Sequence, residues 1–170
     1  DEEPDAVSRP VRDFDGTVTR LEHLTADILG IWIGLDEPIG FQAGQYVNLR
    51  VPGVERPRAF SIASSPSSEN EIELHVRLVP GGEATPRLHS ELAVGDQVRF
   101  SGPYGRFFVR RSAAKPMLFL AGGSGLSSPK SMVLDLLETG CEQPITLVHG
   151  VRTANDVYFA EEFTALEAAH

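Results

Sequence analysis

The 170-residue chain is 41% hydrophobic and 23% charged, which excludes disorder throughout and is enough for one complete domain and part of another. Its net charge of −9 sits at the ends: residues 1–13 hold five acids and two bases, residues 155–170 four acids and no base, leaving about −2 between them. That distribution opposes nucleic-acid binding, which needs a basic footprint. No run approaches the roughly 18 apolar residues of a membrane span, and the acidic start DEEPDAVSRP is unlike a signal peptide. A cytoplasmic protein without a membrane partner is expected. Cys141 is the only cysteine, so there is no internal disulfide. No Cys or His spacing matches a zinc or iron–sulfur site, so no metal site is expected in this chain.

Residues 1–12, acidic and with two prolines, have the composition of a linker. From Gly16 to Phe108 the pattern has period two. Val47, Leu49 and Val51 alternate with Tyr46, Asn48 and Arg50; Ile72, Leu74, Val76 and Leu78 alternate with Glu73, His75 and Arg77. Turn signals at Glu37-Pro38, Pro52-Gly53, Pro66 to Asn70, Pro80-Gly81-Gly82 and Gly102-Pro103 separate five or six short strands, the signature of a small antiparallel barrel over residues 13–112. Pro86 to Leu92 reads as its one helix. Arg106, Arg110, Arg111 and Lys115 form a local basic group. It is either a solvated edge that discourages strand pairing or a docking point for an anionic cofactor or partner.

After Lys115 the period changes. PMLFLAGGSGLSSPKSMVLDLLETG reads as an apolar strand, a glycine-rich turn, and a helix with Pro129 near its first position and Gly140 just past its end. Met132, Val133, Leu136 and Leu137 fall on one helical face. PITLVHGV then reads as a second buried strand, and Asp156 to Ala168 as a helix with Phe159, Phe163 and Leu166 on one side. This β-α-β-α order over residues 113–170 begins a parallel sheet. Two strands and two helices cannot cover both faces of such a sheet, so the second domain is expected to be truncated.

Three stretches carry candidate chemistry. Backbone N–H groups of Gly122 to Gly125, between a strand end and a helix start, can face a phosphate. The string Gly123-Ser124-Gly125-Leu126-Ser127-Ser128 nevertheless lacks the third glycine of a dinucleotide fingerprint, the glycine of a hydrolase elbow and the lysine of a P-loop. A purely structural tight turn remains open. PGGEAT, Pro80 to Thr85, offers a second pair of glycines with a hydroxyl three residues on. RAFSIASSP, Arg58 to Pro66, packs a guanidinium, an aromatic ring and hydroxyls between two strands; Phe60 and Ile62 can equally be the inward side of a strand.

RAFSIAS, VRLVPGGEAT, SGPYGRF and LAGGSGLSSP, in that order, resemble the ferredoxin-NADP reductase-like flavoenzymes. From Phe14 onward the chain is most similar to the reductase components of multicomponent phenol hydroxylases and toluene monooxygenases. The resemblance implies a two-domain fold, an antiparallel six-stranded FAD-binding β-barrel followed by a truncated α/β parallel-sheet nucleotide-binding domain. It implies that Arg58, with Ala59 beside it, pairs with the FAD diphosphate, that Phe60 packs on the isoalloxazine, and that Ser61 bonds near flavin N5 as the catalytic hydroxyl. Phe60 departs from the family's usual tyrosine. The stretch His75-Val76-Arg77 would run beside the flavin, and Gly81, Gly82 and Thr85 would cradle the diphosphate. Gly122, Gly123, Ser124 and Gly125 with Pro129 would form the nicotinamide-nucleotide loop.

The implied activity is transfer of electrons from NADH, or NADPH, through FAD to a [2Fe–2S] centre in a domain absent from this chain, and on to an oxygenase partner. The alternative is a flavin-binding electron-transfer module or subunit without NADH turnover of its own.

Overall fold

The computed structural model describes residues 5–68 and 70–170. The first four residues of the expected linker, and Glu69 in the expected turn Pro66 to Asn70, lie outside the described residues. Six strands, β1 (Arg12–His23), β2 (Ile28–Leu35), β3 (Tyr46–Arg50), β4 (Arg58–Ser61), β5 (Glu71–Arg77) and β6 (Gln97–Tyr104), form one antiparallel sheet in the order β4-β3-β6-β1-β2-β5. The sheet curls until its edges meet: Ile62 bridges Leu74, and the Ala63 N–H donates to the Glu73 carbonyl at 2.7 Å. The period-two pattern fixes what lies inside. Ile72, Leu74 and Val76 of β5 are fully buried with Val18, Val47, Leu49, Ile62 and Phe100. Helix α1 (Thr85–Ser90) holds Pro86 in its first turn, where a missing N–H costs no hydrogen bond.

Residues before β1 are tied to the barrel. The Val7 N–H donates to Gln42 Oε1 at 3.2 Å, and Ser112 donates through both its N–H and its hydroxyl to the Asp5 carboxylate. Strand β2 departs from simple alternation. Its inward residues Ile31 and Ile33 are buried in the barrel, and Ile28, on the outer face, is buried as well. Ile28 meets Leu126 and Tyr158 of the second unit.

That unit consists of β7 (Met117–Gly122), α2 (Ser127–Glu138), β8 (Ile145–Gly150) and α3 (Ala160–Ala169), with single 3-10 turns at residues 123–126 and 154–156. Strands β7 and β8 are parallel, from Met117 opposite Ile145 to Gly122 opposite Gly150. Open coverage of this pair is what two strands with two helices imply, and only the reading of β8 as a buried strand needs correction. The described elements cover one face of the pair only, and Leu118, Leu120 and Val148 on the other are 63%, 71% and 48% exposed.

Helix α2 ends as its sequence dictates. Gly140 takes φ +76°, its N–H donates to Leu137 O, and the Cys141 N–H donates to Leu136 O at 2.9 Å, a Schellman stop. Pro129 is the third residue of α2, still within the turn that needs no internal N–H donor. Met132, Val133 and Leu136 are buried as expected, but so is Lys130. Helix α3 starts at Ala160, four residues later than the sequence pattern implies. A capping box between Thr153 and Asp156 closes a 3-10 turn at 154–156. The chain then extends so that Tyr158 turns inward, and Phe159 (φ +60°) restarts the helix.

Candidate active site

On β4, Arg58 lies opposite Leu49 and Phe60 opposite Val47. Both partners are core residues, so Arg58 and Phe60 project on the core-facing side and Ala59 and Ser61 on the other. Phe60 packs against the barrel core and is half-buried. The Arg58 guanidinium reaches beyond the core, donating to the Arg56 carbonyl at 2.7 Å and to the Glu83 carboxylate at 3.1 Å. The ion pair joins β4 to the Pro80–Thr85 turn, bringing together two of the stretches expected to hold a diphosphate.

In that turn Gly81 adopts φ +74°, a left-handed conformation that glycine takes without strain. The Gly82 N–H closes the turn onto the Val79 carbonyl, and Thr85 Oγ accepts the Val79 N–H at 2.9 Å. The Thr85 hydroxyl keeps its own proton to donate. Ser61 is half-buried and its hydroxyl has no partner among the described residues.

Strand β5 continues past the seam with His75, Val76 and Arg77. Val76 is in the core. The His75 ring faces outward from the barrel yet is fully buried, bonded through Nε2 to Glu73 Oε1 at 2.7 Å and edge-on to Tyr158. On the side facing β4 the only described pairing of β5 is the bridge at Leu74. The Val76 carbonyl is bonded to His89 Nε2 at 2.8 Å. Arg77 is half-exposed and donates to Asp27 Oδ2 at 3.2 Å.

The glycine turn stands at the carboxyl ends of β7 and β8, the position where open parallel sheets bind ligands. Gly123 has φ +50°, a left-handed conformation that favours glycine. Gly122 has an ordinary extended backbone, φ −126°. A Cβ on either Gly122 or Gly125 would meet no protein atom within 4 Å. The protein's own packing does not explain glycine at 122 and 125, whereas a nucleotide lying against the turn does, so these residues fit the expected group. The Gly123 carbonyl accepts hydrogen bonds from Tyr158 Oη and His149 Nε2, each at 3.1 Å. Ser127 Oγ donates to Ser124 O at 2.8 Å, and Pro129 is buried in the first turn of α2.

A cleft of about 260 Å³ opens beside this turn, lined by Asp27, Ile28, Arg77, Gly123, Gly150 and Arg152. It unites a residue of the barrel set, Arg77, with one of the nucleotide set, Gly123. Asp27 accepts from Arg77 and from Arg152 (3.0 Å). Burial pushes Asp27 up, but the Thr25 hydroxyl and the two guanidiniums outweigh it and hold the carboxyl below the usual aspartate range.

Periodicity alone does not find Asp27, Glu73, Lys130, Arg152 or Tyr158. Glu73 Oε2 takes the Lys130 ammonium at 2.9 Å, with both side chains 5% exposed. Burial raises the Glu73 pKa; the His75 hydrogen bond and the Lys130 charge overcome this and leave it below the ordinary glutamate value. Burial lowers His75 despite Glu73, so its ring is neutral and donates Nε2–H to the carboxylate. Burial, with Glu73 nearby, pushes the Tyr158 hydroxyl well above its ordinary value, so it remains a donor.

Comparison with known proteins gives each of the two units a family. Residues 15–109 match the oxidoreductase FAD-binding domain and residues 119–170 the oxidoreductase NAD-binding domain. The reductase component of phenol 2-monooxygenase from Pseudomonas sp. strain CF600 is 54% identical over 170 residues, 100% of this chain and 48% of that protein. A phenol hydroxylase protein from Acinetobacter pittii is 51% identical over 166 residues, 98% of this chain and 47% of that protein. The crystal structure of the Amycolatopsis reductase GcoB superposes with a TM-score of 0.91 at 37% identity, covering 97% of this chain and 51% of that one. The chain thus spans about half the length of the relatives it matches. With its near-closed antiparallel barrel, its parallel strand pair and both domain matches in sequence order, the chain belongs to the ferredoxin-NADP reductase-like family of FAD- and NAD-binding oxidoreductases.

Proposed function

We propose that this chain is the flavin- and nicotinamide-binding part of a cytoplasmic reductase that passes electrons from NADH, or NADPH, through FAD to a [2Fe–2S] centre outside the chain and on to an aromatic-ring monooxygenase. The cleft that joins Arg77 of the barrel to Gly123 of the second unit carries this reading, because hydride transfer needs the two nucleotides in contact. The names of the relatives at 54% and 51% identity support the oxygenase partner. The barrel, residues 13–112, would hold FAD, residues 113–170 the nicotinamide nucleotide, and residues 1–12 would be a linker.

Bound FAD supplies hydride acceptance and one-electron release, chemistry that no side chain here can perform. The protein binds and aligns. Arg58, released from Glu83, offers a guanidinium fork to a diphosphate, with Gly81, Gly82 and Thr85 alongside. Phe60 presents part of a ring as a stacking surface, and Ala59 leaves the strand surface open. The Ser61 hydroxyl, without a partner among the described residues, would be free to donate to the flavin. The stretch His75, Val76 and Arg77 would run beside the flavin, and Gly122, Gly123, Ser124 and Gly125, with Pro129, would receive the nicotinamide nucleotide. None of these residues acts as a general acid or base.

The test is the visible spectrum of the purified protein. The reading predicts a flavin spectrum that Arg58→Ala removes or weakens; a protein that binds no flavin under saturating FAD contradicts it. A protein that holds FAD but never reacts with NADH is instead the electron-transfer module without turnover.

A further inference from the structure

The barrel and the second unit meet through several polar contacts, and one of them is a buried ion pair. Arg111 with Asp135, Arg152 with Asp27, and Ser67 with Glu138 all involve half-exposed or exposed groups. Glu73 and Lys130 are both buried. The Lys130 ammonium also lies 4.6 Å from the centre of the Phe159 ring and 3.7 Å from Glu162. Burying such a pair gives little stability over apolar side chains of the same volume, because desolvation offsets the attraction. What a buried pair provides, and packing does not, is a fixed direction and length.

Both ends of the pair are anchored at the proposed reaction site. The backbone of Glu73 is fixed at the barrel seam: its carbonyl accepts the Ala63 N–H and its N–H donates to Ser64 Oγ. Ala63 is two residues from Ser61. Lys130 is in the first turn of α2, directly after the glycine turn, whose Gly123 carbonyl is gripped from the other side by Tyr158 and His149. Tyr158 packs on His75, and His75 holds the second oxygen of Glu73. A single connected set of side chains therefore spans from the seam beside Ser61 to the turn at Gly123.

We propose that Glu73 and Lys130 are a positioning pair: they set the separation between the flavin-motif strand and the glycine turn, and so govern the rate of hydride transfer, not the affinity for either nucleotide. The inference rests on the proposed function. Neither residue touches a nucleotide; both act through the elements they tie.

The test compares Glu73→Gln, Lys130→Met, Lys130→Arg and the double variant Glu73→Leu/Lys130→Met with the parent, each expressed from its complete reading frame and loaded with FAD. Read out are thermal midpoint, NADH affinity, rate of flavin reduction at saturating NADH and, on the flavin-free proteins, amide exchange at residues 122–126. The double variant should regain the parent's thermal midpoint with flavin reduction still roughly tenfold to a hundredfold slow. Its NADH dissociation constant should stay within about threefold of the parent, and exchange at the turn should quicken by about tenfold while the barrel strands are unchanged. Lys130→Arg, which keeps the charge, should recover most of the rate.

A double variant that recovers rate and turn protection together with stability reduces the pair to packing and overturns the proposal, as do single variants with the parent's rate. A parent that binds FAD and is never reduced by NADH overturns both this proposal and the functional reading. A parent that is reduced, with variants unaffected, overturns the positioning role alone.

Discussion

On the proposed function, Arg58 would serve fold and ligand in turn, a diphosphate taking the place that Glu83 holds. In this structure it is paired with Glu83 across an exposed contact, 36% and 77% accessible, and such pairs contribute little. A diphosphate, with more charge and better geometry for a guanidinium fork, would displace the carboxylate. Arg58→Ala should therefore weaken FAD by about 1.5–3 kcal/mol, one to two orders of magnitude, while Glu83→Gln, which removes the competitor, should tighten it by roughly twofold to fivefold. Fluorescence titration of the flavin-free protein measures both; equal affinities in all three proteins would remove Arg58 from the site.

At the same scale, His75 and Glu73 predict an acid response. Both have folded-state values below their ordinary 6.5 and 4.5, so their contributions to stability are complete at neutral pH. As pH falls below about 6.5 the unfolded chain takes up the imidazole proton first and stability declines; Glu73 adds a second loss below about 4.5. Facing His75 are Glu73, Lys130, Tyr158, Phe159 and Glu162. Urea midpoints between about pH 7 and pH 5 should fall in the parent and change less in His75→Gln. Parallel slopes would mean that His75 is not the titrating group.

At the scale of elements, the glycine turn separates conformational need from ligand need. Gly123→Ala forces an L-residue into φ +50°, at a cost of about 1–2 kcal/mol, and should lower both stability and nucleotide binding. Gly122→Ala puts a methyl group into space no protein atom occupies. It should leave the thermal midpoint unchanged and weaken NADH alone. If both variants bind NADH like the parent, the turn only connects β7 to α2.

The same elements show what a single sequence can reveal. Alternation along β3 and β5 identified the inward residues, and Gly140 marked the end of α2, because these are local consequences of strand period and backbone conformation. The alternation also put Glu73 and His75 on the outer, polar side of β5, which is correct. It could not reveal that the second unit covers that side, since a face's direction is local and its neighbour is not. Ile28 and Lys130 escaped for the same reason. The sequence pattern starts helix α3 four residues early, because the apolar side formed by Phe159, Phe163 and Leu166 does not reveal that the Thr153–Asp156 capping box closes a separate 3-10 turn first. The roles of Arg58, Phe60 and Ser61 rest on motif resemblance; the pattern leaves open whether the stretch connects two strands or is one, and the structure makes Arg58–Ser61 strand β4.

For the whole molecule, the barrel is near-closed and the second unit is open. Leu118, Leu120 and Val148 form an apolar face on a two-stranded sheet, and two strands alone protect their amides poorly. In the isolated chain, residues 117–122 and 145–150 should exchange faster than β1, β2 and β5, measured by mass spectrometry. Uniform protection would mean that the face is covered.

The central claim is that one chain brings a flavin and a nicotinamide nucleotide together at the cleft between Arg77 and Gly123. Anaerobic addition of NADH to the FAD-loaded protein, followed through the visible flavin absorbance, tests it most directly. The account predicts complete bleaching by equimolar NADH, slowed by Gly122→Ala with FAD still bound. A flavin that stays oxidised in excess NADH and excess NADPH would contradict it.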